Sequence, residues 1–291
     1  MARLRTLQQG KKKYYYLEHT LRTKEGFQNR RKYLGDSIPK NVEELKEHFV
    51  YELLEETYGE ELLKRKVKFE KDFASYPDSY KEKYLESFMI RFTYNTNRIE
   101  GGTLTLKETA DLLQEQITPA NKKIKDVKEA EAHKKMFYDM LAYNKRLNLN
   151  VVLHWHRELF KDADPEIAGI IRKHAVAIAR SKTELPLPAE LNTLLDEFFI
   201  WYNKNFKKLN PVILAALVHL KFVSIHPFSD GNGRISRLLM NHTLHSQGYP
   251  MLNIEYTNRN AYYTALERSQ TRHQEHIFVT YIVKRSLQQT K

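Results

Sequence analysis

Residues 226–237 read HPFSDGNGRISR, and their types and spacing suit chemistry on a phosphate. His226 is the side chain of the stretch able to take a proton from a hydroxyl near neutral pH. Asp230 offers hard carboxylate oxygens of the kind that bind Mg²⁺ already held by phosphates. Gly231 and Gly233, on either side of Asn232, let backbone N–H groups approach an anion at a helix N-terminus, where orphan donors and the dipole favour negative charge. Arg234 and Arg237 lie three apart, so on a helix both guanidiniums project from one face toward the same anion. A glycine turn between two core helices would explain the turn alone. It leaves the histidine, the aspartate and the paired arginines without a reason.

The flanking segments predict how these residues are positioned. PVILAALVHLKFVSI, residues 211–225, carries apolar residues at helical spacing, and ISRLLMNHTLHSQ, residues 235–247, does the same. His226 therefore closes one helix and the two arginines open the next. Further helices are expected at 104–118, 126–146, from Asn150 to Phe160, and at 191–207. Asn41-Val42-Glu43-Glu44 has the form of a capping box opening a charged helix that continues toward residue 95, with a break at Tyr76-Pro77-Asp78. Residues 11–34 predict a hairpin turning at Lys24-Glu25-Gly26. A second hairpin is expected between the helices ending at Phe160 and opening at Leu191: Ala175 to Arg180 alternates small and β-branched residues, and Leu185-Pro186-Leu187-Pro188 forbids a helix. His154 and His156 in LHWHRELF point roughly 200° apart on a helix and cannot share a metal ion.

The stretch at 226–237 resembles the motif of the Fic family, His-x-Phe-x-(Asp/Glu)-Gly-Asn-Gly-Arg-x-x-Arg, with His226, Phe228, Asp230, Gly231, Asn232, Gly233, Arg234 and Arg237 in its fixed places. The resemblance implies a mainly α fold, a helical bundle with a β-hairpin flap, beside which the N-terminal hairpin is a small appendage. It divides the chain into a basic hairpin module (1–36), a charged helical linker (37–84), the Fic domain with an inhibitory helix near 90–101 (85–285), and a short tail (286–291). It also implies an activity: transfer of AMP from ATP to a hydroxyl of a protein, with His226 as base and Asp230 holding Mg²⁺. Gly231, Asn232 and Gly233 would then meet the α-phosphate, Arg234 the β and Arg237 the γ. Tyr263 and Gln270 would border the adenine, although an asparagine is more familiar at the latter place. The flap, His174, Ala175, Val176, Ala177, Ile178 and Ala179, would dock an extended segment of the target by strand addition. Thr96-Asn97-Arg98-Ile99-Glu100-Gly101 resembles the family's inhibitory motif, which implies that Thr96, Glu100 and Gly101 form a latch in which the Glu100 carboxylate occupies Arg237. Removal of AMP, or transfer of another phosphoryl-containing group by the same site, stays open as an alternative.

Bulk composition narrows the rest. The chain has 291 residues and no cysteine, which excludes a disulfide scaffold, a thiolate zinc site and a cysteine nucleophile. No apolar run approaches a membrane span and no signal-peptide pattern opens the sequence, so the expected compartment is the cytoplasm and no membrane partner is expected. The net charge is +12, and residues 1–35 hold ten Lys/Arg against two Glu, or +8 of it. That local basic segment, interleaved with Tyr14, Tyr15, Tyr16, Phe27 and Tyr33, suits nucleic acid as well as a packed aromatic face. A nucleic-acid-binding regulator is thus the alternative of a different class, ranked below protein docking or plain structure. The expected partners are ATP and a protein bearing a Ser, Thr or Tyr hydroxyl, and a homodimer is also compatible.

Overall fold

The structure is a computed structural model describing residues 2–23, 26–178 and 181–289. An antiparallel sheet comes first, β1 (Arg3–Gln9), β2 (Lys12–Thr23) and β3 (Gly26–Gly35), in the order β1-β2-β3. Ten helices follow among the described residues: α1 (Val42–Ser75), α2 (Asp78–Ile99), α3 (Leu106–Glu115), α4 (Ile124–Ala142), α5 (Leu149–Phe160), α6 (Leu191–Asn205), α7 (Pro211–Ile225), α8 (Asn232–His245), α9 (Arg259–Thr271) and α10 (His276–Gln288).

The mainly α class agrees with the sequence. The N-terminal element is larger than the expected hairpin, because β1 adds a third strand with Leu4 opposite Leu17. The turn residues Lys24 and Glu25 lie outside the described residues. Helix α1 breaks at Tyr76-Pro77 as the sequence indicates, but no capping box opens it: the Asn41 side chain makes no cap hydrogen bond. The box forms instead at α3, where the Thr105 side chain takes the N–H of Glu108 and Glu108 returns to the N–H of Thr105. Helix α1 is also packed, not merely connecting, since Phe49, Leu53 and Leu54 join the core made with α7 and α10. Helix α10 runs to Gln288, past the expected boundary at 285.

Helix α7 organises the interior. Twelve of its fifteen residues are buried, so it is apolar all round, as a helix enclosed on every side must be. Leu214, Val218 and Phe222 face a core with Phe92, Phe137, Trp155 and Phe228. Ile213, Leu217 and Leu220 face the second, with Phe49, Tyr262 and Phe278. Asn210 starts the helix cleanly by accepting the N–H of Val212, with Pro211 in the first turn. The end of α7 is thus fixed from two sides, and His226 inherits that rigidity.

The expected flap hairpin is not a ladder. Among the described residues 170–187 no strand forms, and Ala179 lies outside them. The Ser181 N–H bonds the Ile178 carbonyl. Two causes are visible. Pro186 and Pro188 supply no N–H for pairing, and Arg172 takes the carbonyls of His174 and Pro186 with its guanidinium, at 2.9 and 2.7 Å.

Candidate active site

His226 caps α7 in a left-handed conformation, φ 52°, with its N–H on the Phe222 carbonyl. Its Nδ1 lies 3.1 Å from the Val223 carbonyl. A carbonyl only accepts, so Nδ1 carries the proton and Nε2 keeps a lone pair. Burial pushes the His226 pKa below the ordinary histidine range, with the nearby Arg172 cation adding to it and the Val223 hydrogen bond opposing. The imidazole is therefore held neutral with its basic nitrogen presented, as a proton acceptor requires.

The loop after it is locked from beneath. Phe228 stacks on His156 at 3.7 Å between centroids and 12° between planes. His156 accepts the Gly169 N–H at Nδ1 and so donates from Nε2 to the Asp230 carbonyl, 3.0 Å away. Asn232 was expected to meet phosphate, but its side chain is buried and spends both ends on Phe228, accepting its N–H and donating to its carbonyl. That leaves the Asn232 backbone N–H as its means of contact with an anion. Gly231 has φ +81°, and a Cβ there would stand 2.4 Å from the Phe160 ring, so no other residue fits.

Asp230 lies half-exposed above this floor. Burial raises its pKa, but Arg234 and the Gly231 N–H outweigh that and hold the carboxyl ionised below its ordinary range. Its Oδ1 takes the Gly231 N–H at 2.6 Å and its Oδ2 an Arg234 nitrogen at 3.0 Å. Among the described residues no group of three or more His, Asp or Glu could hold a metal alone. A single exposed carboxylate completed by substrate phosphates and water is the usual Mg²⁺ arrangement, so Asp230 fits that ion.

The two arginines separate. Arg234 is buried over the Phe160 ring and pairs with Glu129 at 2.9 Å as well as with Asp230. Arg237 turns to α2: it donates to the Glu100 carboxylate at 2.6 Å, to the Thr96 hydroxyl at 3.2 Å and carbonyl at 3.3 Å, and to the Tyr262 hydroxyl at 3.3 Å. Burial alone would favour a neutral guanidinium, but Glu100 reverses this and raises the Arg237 pKa. The Tyr262 hydroxyl in turn donates a hydrogen bond to His219 Nε2, 3.0 Å away. Glu100 lies at the end of α2, followed by Gly101 at φ +95°. Its carboxylate rests on the first turn of α8, where a Cβ on Gly233 would come within 2.2 Å of it. The absence of a side chain at Gly233 is what admits a carboxylate, or a phosphate oxygen, to this spot.

The remaining expected residues make contacts of their own. Tyr263 is 43% exposed and donates to the Ile99 carbonyl at 3.0 Å, so it steadies the end of α2. Gln270 uses its amide on Thr183 at 3.1 Å and Ser224 at 3.0 Å, tying the flap segment to α7, and an adenine contact would have to displace one of these bonds. In the flap, His174, Ala175 and Ala177 are exposed, while Val176 and Ile178 are half-buried. Sequence reasoning missed Glu129, which balances Arg234, and the loop-fixing role of His156. It also missed Arg172, 3% exposed, whose Nε donates to the His226 carbonyl at 2.8 Å while its N–H bonds Pro227. Nothing local marks these three: each belongs to a distant segment and gains its part only on folding.

A buried neutral imidazole ahead of a helix N-terminus, with an ion-paired arginine one turn in, suits an anionic ligand on a helical scaffold. Residues 146–244 match the model of the Fic/DOC family. It is 35% identical over 183 residues to the protein adenylyltransferase Fic of Aedes aegypti, covering 61% of this chain and 36% of that one. It is 33% identical over 181 residues to the protein of the same name from Nematostella vectensis, covering 60% and 42%. The matches thus span well under half the length of these curated relatives. Among solved structures, a Fic domain containing signaling protein from Bacteroides thetaiotaomicron superposes with a TM-score of 0.70 at 28% identity, covering 77% of this chain and 92% of that one. Fic-1 (residues 134–508) from C. elegans shares the fold, with a TM-score of 0.68 at 24% identity over 86% and 75%.

Proposed function

We propose that this chain transfers AMP from ATP to a hydroxyl side chain of a protein and that Glu100 holds the activity down. The observation that carries the reading is the Arg237–Glu100 pair lying on Gly233, beside a His226 whose Nε2 is unprotonated. Names of the curated relatives support the same reaction.

In this reading Nε2 of His226 accepts the proton of a Ser, Thr or Tyr hydroxyl. The hydroxyl oxygen bonds the α-phosphorus as the bond to the bridging oxygen breaks, and pyrophosphate leaves. Backbone N–H groups of Gly231, Asn232 and Gly233 stabilise the α-phosphate oxygens, and Arg234 and Arg237 take the outer phosphates. Asp230 would hold Mg²⁺, which, when bound, neutralises charge on the phosphates. The residues supply position and charge, with no covalent intermediate on the protein. With Glu100 in place, Arg237 is engaged and a carboxylate occupies ground the terminal phosphate needs, so productive ATP binding is blocked.

Incubating the full chain and its Glu100→Gly variant with α-labelled ATP tests this. Labelling of protein should rise about tenfold or more in the variant, since a charge-assisted pair of this kind contributes about 1.5–3 kcal/mol. Unchanged labelling with ATP shown to bind would remove the inhibitory role. Label that appears with γ-labelled but not α-labelled ATP would replace AMP transfer by transfer of a phosphoryl group.

A further inference from the structure

The basic N-terminal sheet has two unlike faces. Leu4 and Leu17 share the inner one, where Leu17 is fully buried against the core that includes Phe49 and Leu53 of α1. On the same side Lys32 pairs with Glu52 of α1 at 2.7 Å. The sheet is therefore seated on α1 by one face, and the other is fixed toward solvent.

Alternation across the pleat puts Arg5, Tyr16 and Tyr33 in one row of that outer face, and Arg3, Glu18 and Arg31 in the next. Tyr33 lies 5.1 Å from Tyr16 and 6.3 Å from Tyr14, with the rings tilted by 46° and 47°. Tyr33 is 55% exposed and Phe27, near the far end, 77%. Glu18 accepts from Arg5 at 3.2 Å and from Arg31 at 3.1 Å, so one acid draws guanidiniums from both outer strands across the central one. With Arg3 and Lys12 on the same side, the face holds four cations against that one carboxylate, a balance of +3 among its described side chains. A face made only for solubility has no use for exposed Tyr33 and Phe27 and half-buried Tyr14 and Tyr16 among cations, and one made only for packing would bury Tyr33 and Phe27.

We infer that this outer face binds single-stranded nucleic acid, with Tyr33, Tyr16 and Phe27 stacking on bases and the surrounding arginines and lysine holding phosphates. Charge complementarity selects a polyanion. The rings select one whose planar groups are open to stacking, which a single strand provides and a duplex withholds. The inference is independent of the catalytic reading, because no residue of the face belongs to the site at His226.

The full chain is titrated into fluorescently labelled ten-nucleotide single strands of DNA and of RNA, the same DNA as a duplex, and polyglutamate. Binding to at least one single strand is expected, weakening about tenfold between 50 and 150 mM salt if three phosphates are neutralised. Tyr33→Ala should weaken it on the order of tenfold, and Arg31→Gln should flatten the salt dependence. Tyr33 is exposed, so the variant should keep its fold, which circular dichroism checks. A preference between the DNA and RNA strands would identify the source of the ligand. Binding of duplex or polyglutamate as tightly as the single strands, unchanged affinity in a folded Tyr33→Ala, or no binding at all at 50 mM salt would overturn the inference.

Discussion

At the scale of single residues, the proposed reading divides the work between His226, as base, and Glu100, as restraint. His226 owes its neutral state to burial and its orientation to Val223, so replacing it touches proton transfer before anything else. His226→Ala in a Glu100→Gly background should cut the rate of transfer by roughly 10²–10⁴-fold, the usual worth of a positioned base. Mg²⁺·ATP affinity should move far less, because the cradle of Gly231 to Gly233 and the Asp230 carboxylate remain. Calorimetry beside a labelling time course checks both halves. Transfer as fast as in the parent would remove the catalytic assignment of the loop. These residues were legible together in the sequence because their spacing is local: His226 and Arg237 are eleven positions apart, and a loop between two helices fixes how they meet. The sequence did not disclose that the Asn232 side chain braces Phe228 in the folded loop.

At the scale of elements, the flap and the catalytic loop are joined through Arg172. Its guanidinium bonds the carbonyls of His226, His174 and Pro186 and has no carboxylate partner among the described residues. Arg172→Ala would leave three carbonyls short of a charge-assisted donor and free the flap segment from the base. In the Glu100→Gly background, transfer to a protein acceptor should fall at least about tenfold while ATP affinity stays within about threefold. Lysine, a point charge without the planar fork, should restore only part of it. Equal transfer by Arg172→Ala would show that the flap needs no such tie. The sequence discloses the helices around this junction because their periodicity is strong, and it discloses the turn prolines. It could not disclose that one arginine would replace a strand ladder, nor that β1 would pair with β2, since Arg3 to Gln9 shows too little alternation to announce a strand.

For the molecule as a whole, several histidines are buried in neutral form, and that sets its response to acid. His156 and His242 have pKa values lowered to about 4 and His133 to about 3, in each case chiefly by burial. An unfolded histidine takes a proton near pH 6.5. Below that pH the unfolded chain binds protons that the folded chain refuses, so stability falls as pH drops from about 6.5 toward 4 and is regained on the way back up. His156 and His242 should each contribute on the order of 3 kcal/mol to the loss by pH 4. Urea titrations at pH 7.5, 6 and 5 should show a midpoint falling steadily, and His156→Gln should reduce that slope whatever it does to stability at pH 7.5. A midpoint independent of pH across this range would contradict the neutral burial of these side chains.

The placement of Glu100 on Gly233 puts the end of α2 inside the candidate site of its own chain. In the proposed reading the Glu100 carboxylate would compete as an intramolecular inhibitor, at an effective concentration of order millimolar or above that dilution cannot lower. Raising ATP is therefore a weak way to free the site. Loosening the mooring of α2 is a strong one, and that mooring is spread over Tyr263 on Ile99 and Arg98 on the Gly102 carbonyl, all outside the catalytic loop. On that reading, a partner that merely tugs on this helix end would release the proposed activity without touching a residue assigned to the chemistry.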